Sequence, residues 1–419
     1  MQIILNPEKE KRSELLKRPV FDFQEIEARV SPILSEVRNK GDEALRQFAL
    51  DFDNILLNEF EVSKQEVISL GDEIPEDLKA AIQVAFDNIT TFHKTQLTEP
   101  VVIETMPGVK CWRKQVGIDK VGIYIPGGTA PLFSTVLMLA IPAKLSGCKE
   151  IILCSPSNHP AIYYAASLAG VDRVFRIGGA QAIAAMAYGT ETVPQVYKIF
   201  GPGNQYVTIA KQLVSKEGIA IDMPAGPSEV AVLADDSANP AFVAADLLSQ
   251  AEHGVDSQVL LVSTSKELID KVNIEVNKQV ELLPRKDFAL KSLENSKAIY
   301  VSNQAEAIDI LNEYAAEHLI LAIDNAKEVA EQITNAGSIF IGHYTPESCG
   351  DYASGTNHTL PTNGFARAYS GVSVDSFTKK ITYQEISKDG LEKLGPSVVT
   401  MAKAEGLDGH ANAVSLRIS

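Results

Sequence analysis

Gln250 and His253 lie three residues apart at the end of a helical stretch, a spacing that turns both side chains to one face. A glutamine offers a carbonyl oxygen and a neutral histidine a ring nitrogen, so the pair could occupy two positions on a divalent metal. Read alone, the stretch is better taken as a capped helix end with a surface histidine. Asn239 and Pro240 open it, and Gly254 is expected to close it. A second Ala-Glu-His occurs at residues 316–318, Asp351 stands in a Gly-rich loop, and His410 lies near the C-terminus. Together these read as parts of one site. His318 is of the type that serves as a base at neutral pH, and Glu317 offers a carboxylate able to activate water.

Three glycine-rich turns follow apolar runs: Pro126-Gly127-Gly128, Gly178-Gly179 and Gly201-Pro202-Gly203-Asn204. Turns of this kind place backbone N–H groups where phosphates bind, although none has the GxGxxG spacing of the dinucleotide fingerprint. The four cysteines, Cys111, Cys148, Cys154 and Cys349, form no CxxC pair and no disulfide framework. Cys111 and Cys154 are conceivable nucleophiles for an aldehyde, but neither has a neighbouring base, and both read as structural. His93 reads as an ordinary helical histidine.

Positioning such a site requires alternating strands and helices. Residues 1–100 read as mostly helical, with helices expected over 21–39, from 41 onward and from 75 onward. From 121 to 222 the pattern becomes strand–turn–helix, with strands at 121–125, 150–154, 174–177, 196–200 and 219–222. A second series follows, with strands at 229–233, 258–262, 298–301, 319–323 and 338–341 and a helix ending at His318. Alternation of this kind means parallel sheets joined by right-handed crossovers. The Gly/Ser/Thr/Asn-rich stretch 342–371, which carries Asp351, His358 and Arg367, reads as a functional loop. A short strand at 381–383, helices to 407 and a polar end complete the chain.

The chain has 419 residues, 45% of them hydrophobic, and a net charge of −16. That charge argues against nucleic acid or an anionic membrane as partner. No run approaches the apolar length of a membrane span, and the N-terminal residues show no export signal. With few and scattered cysteines, a cytoplasmic location is expected.

The motifs taken together resemble one family. They are Tyr124-Ile-Pro-Gly-Gly, Ile177-Gly-Gly-Ala-Gln-Ala182, Phe200-Gly-Pro-Gly-Asn204, Asp222-Met-Pro-Ala-Gly-Pro-Ser-Glu229, Asp246-Leu-Leu-Ser-Gln-Ala-Glu-His253, Ala316-Glu-His318, and Gly350-Asp351 with Gly355-Thr-Asn-His358. The combination resembles the histidinol dehydrogenases from about residue 20 to the end. The resemblance implies zinc, one per subunit, on Gln250, His253, Asp351 and His410. It implies Glu317 and His318 as the catalytic pair. It further implies substrate contacts from Ser228, Gln250, His253, His318, Asp351, His358, Glu405 and His410, and NAD contacts from Tyr124, Gln181 and Asn204. The implied reaction is oxidation of L-histidinol to L-histidine with two NAD through a bound aldehyde, in histidine biosynthesis. The implied assembly is a homodimer with shared active sites, in which Glu405 and His410 serve the partner's site.

The expected fold is α/β, with two tandem Rossmann-like doubly wound units, a helical N-terminal segment and a small C-terminal tail domain. The expected division is an arm at 1–18, a larger α/β domain at 19–120 plus 228–372, an NAD-contacting domain at 121–227 and a tail at 373–419. Two other readings of the residues remain: a zinc hydrolase that uses Glu317 to activate water, and a non-enzymatic, metal-dependent binder of an imidazole ligand.

Overall fold

The computed structural model describes residues 1–419 except 20–22, 54, 55, 129 and 225. The chain opens with β1 (Gln2–Leu5), α1 (Lys9–Leu15), α2 (Phe23–Lys40), α3 (Asp42–Asp53), β2 (Glu61–Val62), α4 (Lys64–Gly71) and α5 (Glu76–Lys94). Two strands, β3 (Ile103–Met106) and β4 (Val109–Gly117), lead into a first alternating series. It runs β5 (Lys120–Tyr124), α6 (Phe133–Leu145), β6 (Glu150–Cys154), α7 (Pro160–Leu168), β7 (Arg173–Phe175), α8 (Gly179–Tyr188), β8 (Lys198–Phe200), α9 (Gln205–Lys216) and β9 (Ala220–Ile221). The second series opens with β10 (Glu229–Ala234), α10 (Pro240–Ala251), β11 (Gln258–Ser263), α11 (Lys266–Val280) and α12 (Lys286–Glu294). It continues with β12 (Lys297–Tyr300), α13 (Gln304–Tyr314), β13 (His318–Ala322), α14 (Ala326–Ala330) and β14 (Ser338–Ile341). Then come α15 (Glu347–Tyr352), β15 (Thr378–Ile386), α16 (Lys388–Ala404) and α17 (Asp408–Ile418).

The first series forms a sheet in the order β2-β7-β6-β5-β8-β9, parallel except for β2. The second forms a wholly parallel sheet in the order β1-β12-β11-β10-β13-β14. In each, the first strand of the series is central and the order reverses beside it, between β5 and β8 and between β10 and β13. Helices cover both faces of each sheet, which is why β10 and β11 are buried at every residue and read as unbroken apolar runs. Val30 of α2, Ile183 of α8 and Val207 of α9 pack on one face of the first sheet, and Ile89 of α5 and Val136 of α6 on the other. Leu247 and Val272 of α10 and α11 face Ile310 and Val329 of α13 and α14 across the second. Among the described residues, no helix is long and apolar enough to cross a membrane.

Several expectations are corrected. Residues 23–94 pack on the first sheet, where β2 pairs with β7 and α2 and α5 cover the two faces, and α5 also meets residues 353–357 through Asn88 and His93. Residues 2–5, within the expected arm, form the edge strand of the second sheet, paired with β12. An antiparallel sheet, β15-β4-β3, joins residues 103–117 to the tail, a pairing invisible to local pattern because its strands are more than 260 residues apart. The expected helix ending at His318 stops at Tyr314, where Ala315 turns left-handed, and His318 is the first residue of β13. The helix expected to close at Gly254 ends at Ala251. The stretch 342–371 contains α15, and the polar end is the helix α17. The expected helix start at Phe21 lies outside the described residues.

Candidate active site

The left-handed turn at Ala315, φ +54°, breaks α13 and lets Glu317 and His318 enter the sheet as the amino end of β13. Backbone hydrogen bonds from Gly337 N–H to Ala316 O and from Ser338 N–H to Glu317 O, both 2.9 Å, fix this entry against β14. On the other side, Glu229 N–H at the start of β10 donates to Glu317 Oε2 at 3.0 Å. Opposite His318 sits α15. A Cβ on Gly350 would lie 2.7 Å from the Phe340 ring of β14, so glycine is what lets α15 close on the sheet. Glu347 and Asp351, four residues apart, then face His318 together.

His318 is buried among three carboxylates. Its Nε2 lies 3.4 Å from Asp351 Oδ1, and its Nδ1 lies 3.7 Å from Glu317 Oε2 and 4.0 Å from Glu347 Oε1. Burial disfavours a charge on the ring, but the carboxylates of Glu317, Glu347 and Asp351 outweigh it and push its pKa up to about 10. Burial is the leading cause that raises Glu317 and Glu347, each to about 8, against the opposing pull of His318. Burial also opposes ionisation of Asp351, yet the adjacent His318 ring, with Nε2 at 3.4 Å, and the nearby His358 and His253 bring its pKa below the usual value.

Gln250 ends α10 fully buried, and neither its Oε1 nor its Nε2 has a hydrogen-bond partner. Asp351 Oδ1, Glu347 Oε2 and both ring nitrogens of His318 are likewise buried without a close, well-aligned partner. A group of orphaned donors and acceptors is costly in a finished core and marks a place built for a ligand. His253, just past α10, exposes its ring to a cleft while surrounding protein desolvates it, and that desolvation lowers its pKa. His358 is occupied otherwise. Its Nδ1–H donates to Asp351 O at 2.7 Å and its Nε2 accepts from Thr135 Oγ1 at 3.0 Å, so one nitrogen holds the backbone of Asp351 and the other is anchored to α6.

The cleft, about 510 Å³, runs from Ser228 and His253 to Pro202, Gly203 and Asn204. It joins opposite ends of the two sheets: the amino ends of β10 and β11, and the carboxyl end of β8. Asn204 caps α9, its Oδ1 accepting from Tyr206 and Val207 N–H at 3.0 and 3.1 Å. The Tyr124 hydroxyl, at the carboxyl end of β5, accepts the Gly179 N–H at 3.0 Å, beside Gln181 in the first turn of α8. The three glycine-rich turns of the sequence thus follow β5, β7 and β8 on one edge of one sheet.

A model of the histidinol dehydrogenase family matches residues 16–418. A histidinol dehydrogenase from Bacteroides thetaiotaomicron is 58% identical, covering 100% of this chain and 99% of the relative. One from Campylobacter jejuni is 50% identical over the same shares. The crystal structure of histidinol dehydrogenase from Elizabethkingia anophelis superimposes with a TM-score of 0.96 at 50% identity, covering 100% of this chain and 98% of that one. The chain belongs to the histidinol dehydrogenase family.

As a member of the histidinol dehydrogenase family it is an oxidoreductase, and its site can be compared with the residues expected from sequence. Glu317, His318 and Asp351 come together. Gln250 and His253 sit on the end of α10 nearby, and Ser228 lines the same cleft. Glu405 and His410 do not join them within this chain: both are exposed, on the C-terminal helices α16 and α17. Arg367 bonds the carbonyl of Glu313 and ties the loop to the end of α13. Glu347 is the residue the sequence reading missed. His318, Glu347 and Asp351 each offer a donor atom within 4.8 Å of the others. The signal was available as a carboxylate four residues before Asp351, but the surrounding Gly/Ser/Thr composition disguised the short helix.

Proposed function

We propose that this chain oxidises L-histidinol to L-histidine, through a bound aldehyde, as a zinc- and NAD-dependent step of histidine biosynthesis. Two observations carry the reading: the buried Glu317–His318–Asp351 cluster, and a cleft lined by Ser228 and His253 on one side and by the Asn204 turn on the other, with His253 close enough to feel the charges of Asp351 and His318. Gln250, His253 and Asp351, with His410 of the partner subunit, would hold the metal. Zinc would supply a Lewis-acid clamp for the substrate's imidazole and amino nitrogens, and two NAD in turn would accept the hydrides.

The chain's own groups then divide the proton work. The carboxylates around His318 favour its protonated form. With a divalent ion on Asp351 offsetting that negative charge, the ring is free to take the hydroxyl proton in each oxidation, where a well-placed base is worth about 10²- to 10⁴-fold. Glu317, held at one oxygen by the Glu229 N–H, accepts the proton of the water that adds to the aldehyde. Ser228 and Glu405 contact substrate, and Tyr124, Gln181 and Asn204 contact NAD. His358 is assigned to holding Asp351 rather than to the substrate, because both its ring nitrogens are engaged.

The two six-stranded sheets are read as Rossmann-like units, since each reverses its order beside its first strand. The domain division that follows the packing groups residues 2–15 with 229–341, residues 23–94 with 120–221, and residues 103–117 with the tail from 378. The small sheet and α16–α17 form the element that crosses to a second subunit of a homodimer.

Incubation with histidinol and NAD tests the proposal. Two NADH per histidine are expected. Absence of NADH together with hydrolysis of an amide or ester would favour the zinc hydrolase, and metal-dependent binding without turnover would favour the imidazole binder.

A further inference from the structure

A buried ion pair lies beneath the β8–α9 turn, outside the reacting groups. Lys211 of α9 and Asp222, just past β9, bring Nζ and Oδ1 to 2.5 Å, with side chains 5% and 2% exposed. Both also grip Gly201. Lys211 Nζ donates to Gly201 O at 2.8 Å, and Gly201 N–H donates to Asp222 Oδ2 at 2.9 Å. Asp222 Oδ1 accepts in addition from Met223 N–H at 2.8 Å. Gly201 has φ +128°, and a Cβ there would fall 2.0 Å from Tyr124 O, so the turn is pressed against the end of β5.

An ion pair this deep is a weak source of stability, because desolvating two charges offsets most of their attraction. What it does supply is direction. Two charge-assisted hydrogen bonds of opposite polarity fix both peptide groups of one residue. The next three residues, Pro202, Gly203 and Asn204, line the cleft. We propose that Lys211 and Asp222 are positioning residues for the nucleotide, holding the Gly201–Asn204 turn in its receiving shape before the cofactor arrives. This rests on reading that turn as part of the NAD site.

The double variant Lys211→Met/Asp222→Asn removes both charges with little change in volume. NADH affinity and KM for NAD should weaken on the order of tenfold, as expected when two charge-assisted bonds are lost. KM for histidinol and kcat at saturating NAD should stay within about twofold, since the reacting groups are untouched. A folded variant with unchanged NADH affinity overturns the proposal. Hydrogen exchange on the unaltered protein gives a second test that needs no variant. The Gly201 amide should exchange slowly with and without NADH, and NADH should protect amides in 203–207. Slow exchange of Gly201 only after NADH binds would mean the turn is not held in advance, which also overturns it. If NADH protects no amide in 201–207, it is the reading of the turn as a nucleotide site that fails, and the positioning role with it.

Discussion

Glu229 donates its backbone N–H to Glu317 Oε2 at 3.0 Å while its own buried carboxylate is bound by Arg18. One residue therefore anchors the Glu317 carboxylate through its main chain and the N-terminal segment through its side chain. Arg18 is itself fixed by the Tyr314 carbonyl at 2.7 Å and by stacking 4.0 Å over the Tyr314 ring. Tyr314 is the last residue of α13, just before the turn that delivers Glu317 and His318. Glu317 is thus approached from two sides by groups that Arg18 holds.

Arg18→Met should destabilise the fold by about 3–5 kcal/mol, because it leaves the Glu229 carboxylate buried without its partner. Burial already raises the pKa of Glu229 despite Arg18. Without Arg18 that rise must be larger. A carboxyl whose folded pKa is raised binds its proton more tightly in the folded chain, so stability is present below the unfolded value of about 4.3 and falls as pH rises toward the folded value. The deficit of Arg18→Met relative to the unaltered chain should therefore be smaller at pH 5 than at pH 8. Denaturant unfolding at the two pH values checks this, and an equal deficit at both would show that Glu229 is not the group responsible.

Glu317→Gln and His318→Asn should separate two halves of the reaction. Glu317→Gln keeps the shape but removes the carboxylate proposed to activate water, so aldehyde-to-acid oxidation should slow by on the order of 10²-fold or more. Reduction of histidinal back to histidinol needs no added water and should largely survive. His318→Asn removes the proposed base of both oxidations and should slow every direction. Single-turnover assays on histidinol, on histidinal and in the reverse reduction measure all three. Equal loss of the reverse reduction in both variants would mean the adjacent pair acts as one relay.

Chelation should abolish turnover and zinc should restore it. His253→Ala should lose metal and activity together, because it removes a direct nitrogen donor, while its melting temperature stays near that of the metal-free parent. Metal content by elemental analysis is the readout, and full zinc occupancy in His253→Ala would remove this histidine from the ligand set.

Glu405 and His410 are exposed on the C-terminal helices and stand apart from the His318 cluster in the chain. If the tail completes a neighbour's site, homodimers of His253→Ala and of His410→Ala are each inactive. A mixed dimer contains one site with both ligands and one with neither, so it should recover about half the parent activity, as a two-fold shared site requires. Subunit exchange is followed with differently tagged chains. Exchange without recovered activity would mean that each chain builds its own site.

The alternating strands, the glycine-rich turns after β5, β7 and β8, and the residue types of Glu317, His318, Gln250, His253 and Asp351 were all legible in the sequence. They depend on local periodicity and on motifs a few residues long. Three things depended on the tertiary structure. Which sheet residues 23–94 cover was decided by packing, because an amphipathic helix states that it has a buried face but not what will bury it. The β15–β4 pairing was decided by contact across more than 260 residues, which no window of sequence contains. The third is the surroundings of His318. Its three neighbouring carboxylates come from Glu317, just before β13, and from α15, and Glu347 joined them only when Gly350 let that helix close on Phe340. Residue chemistry is carried by the side chain itself, but charge, burial and orphaned donors are properties of neighbours, and the neighbours are chosen by the fold.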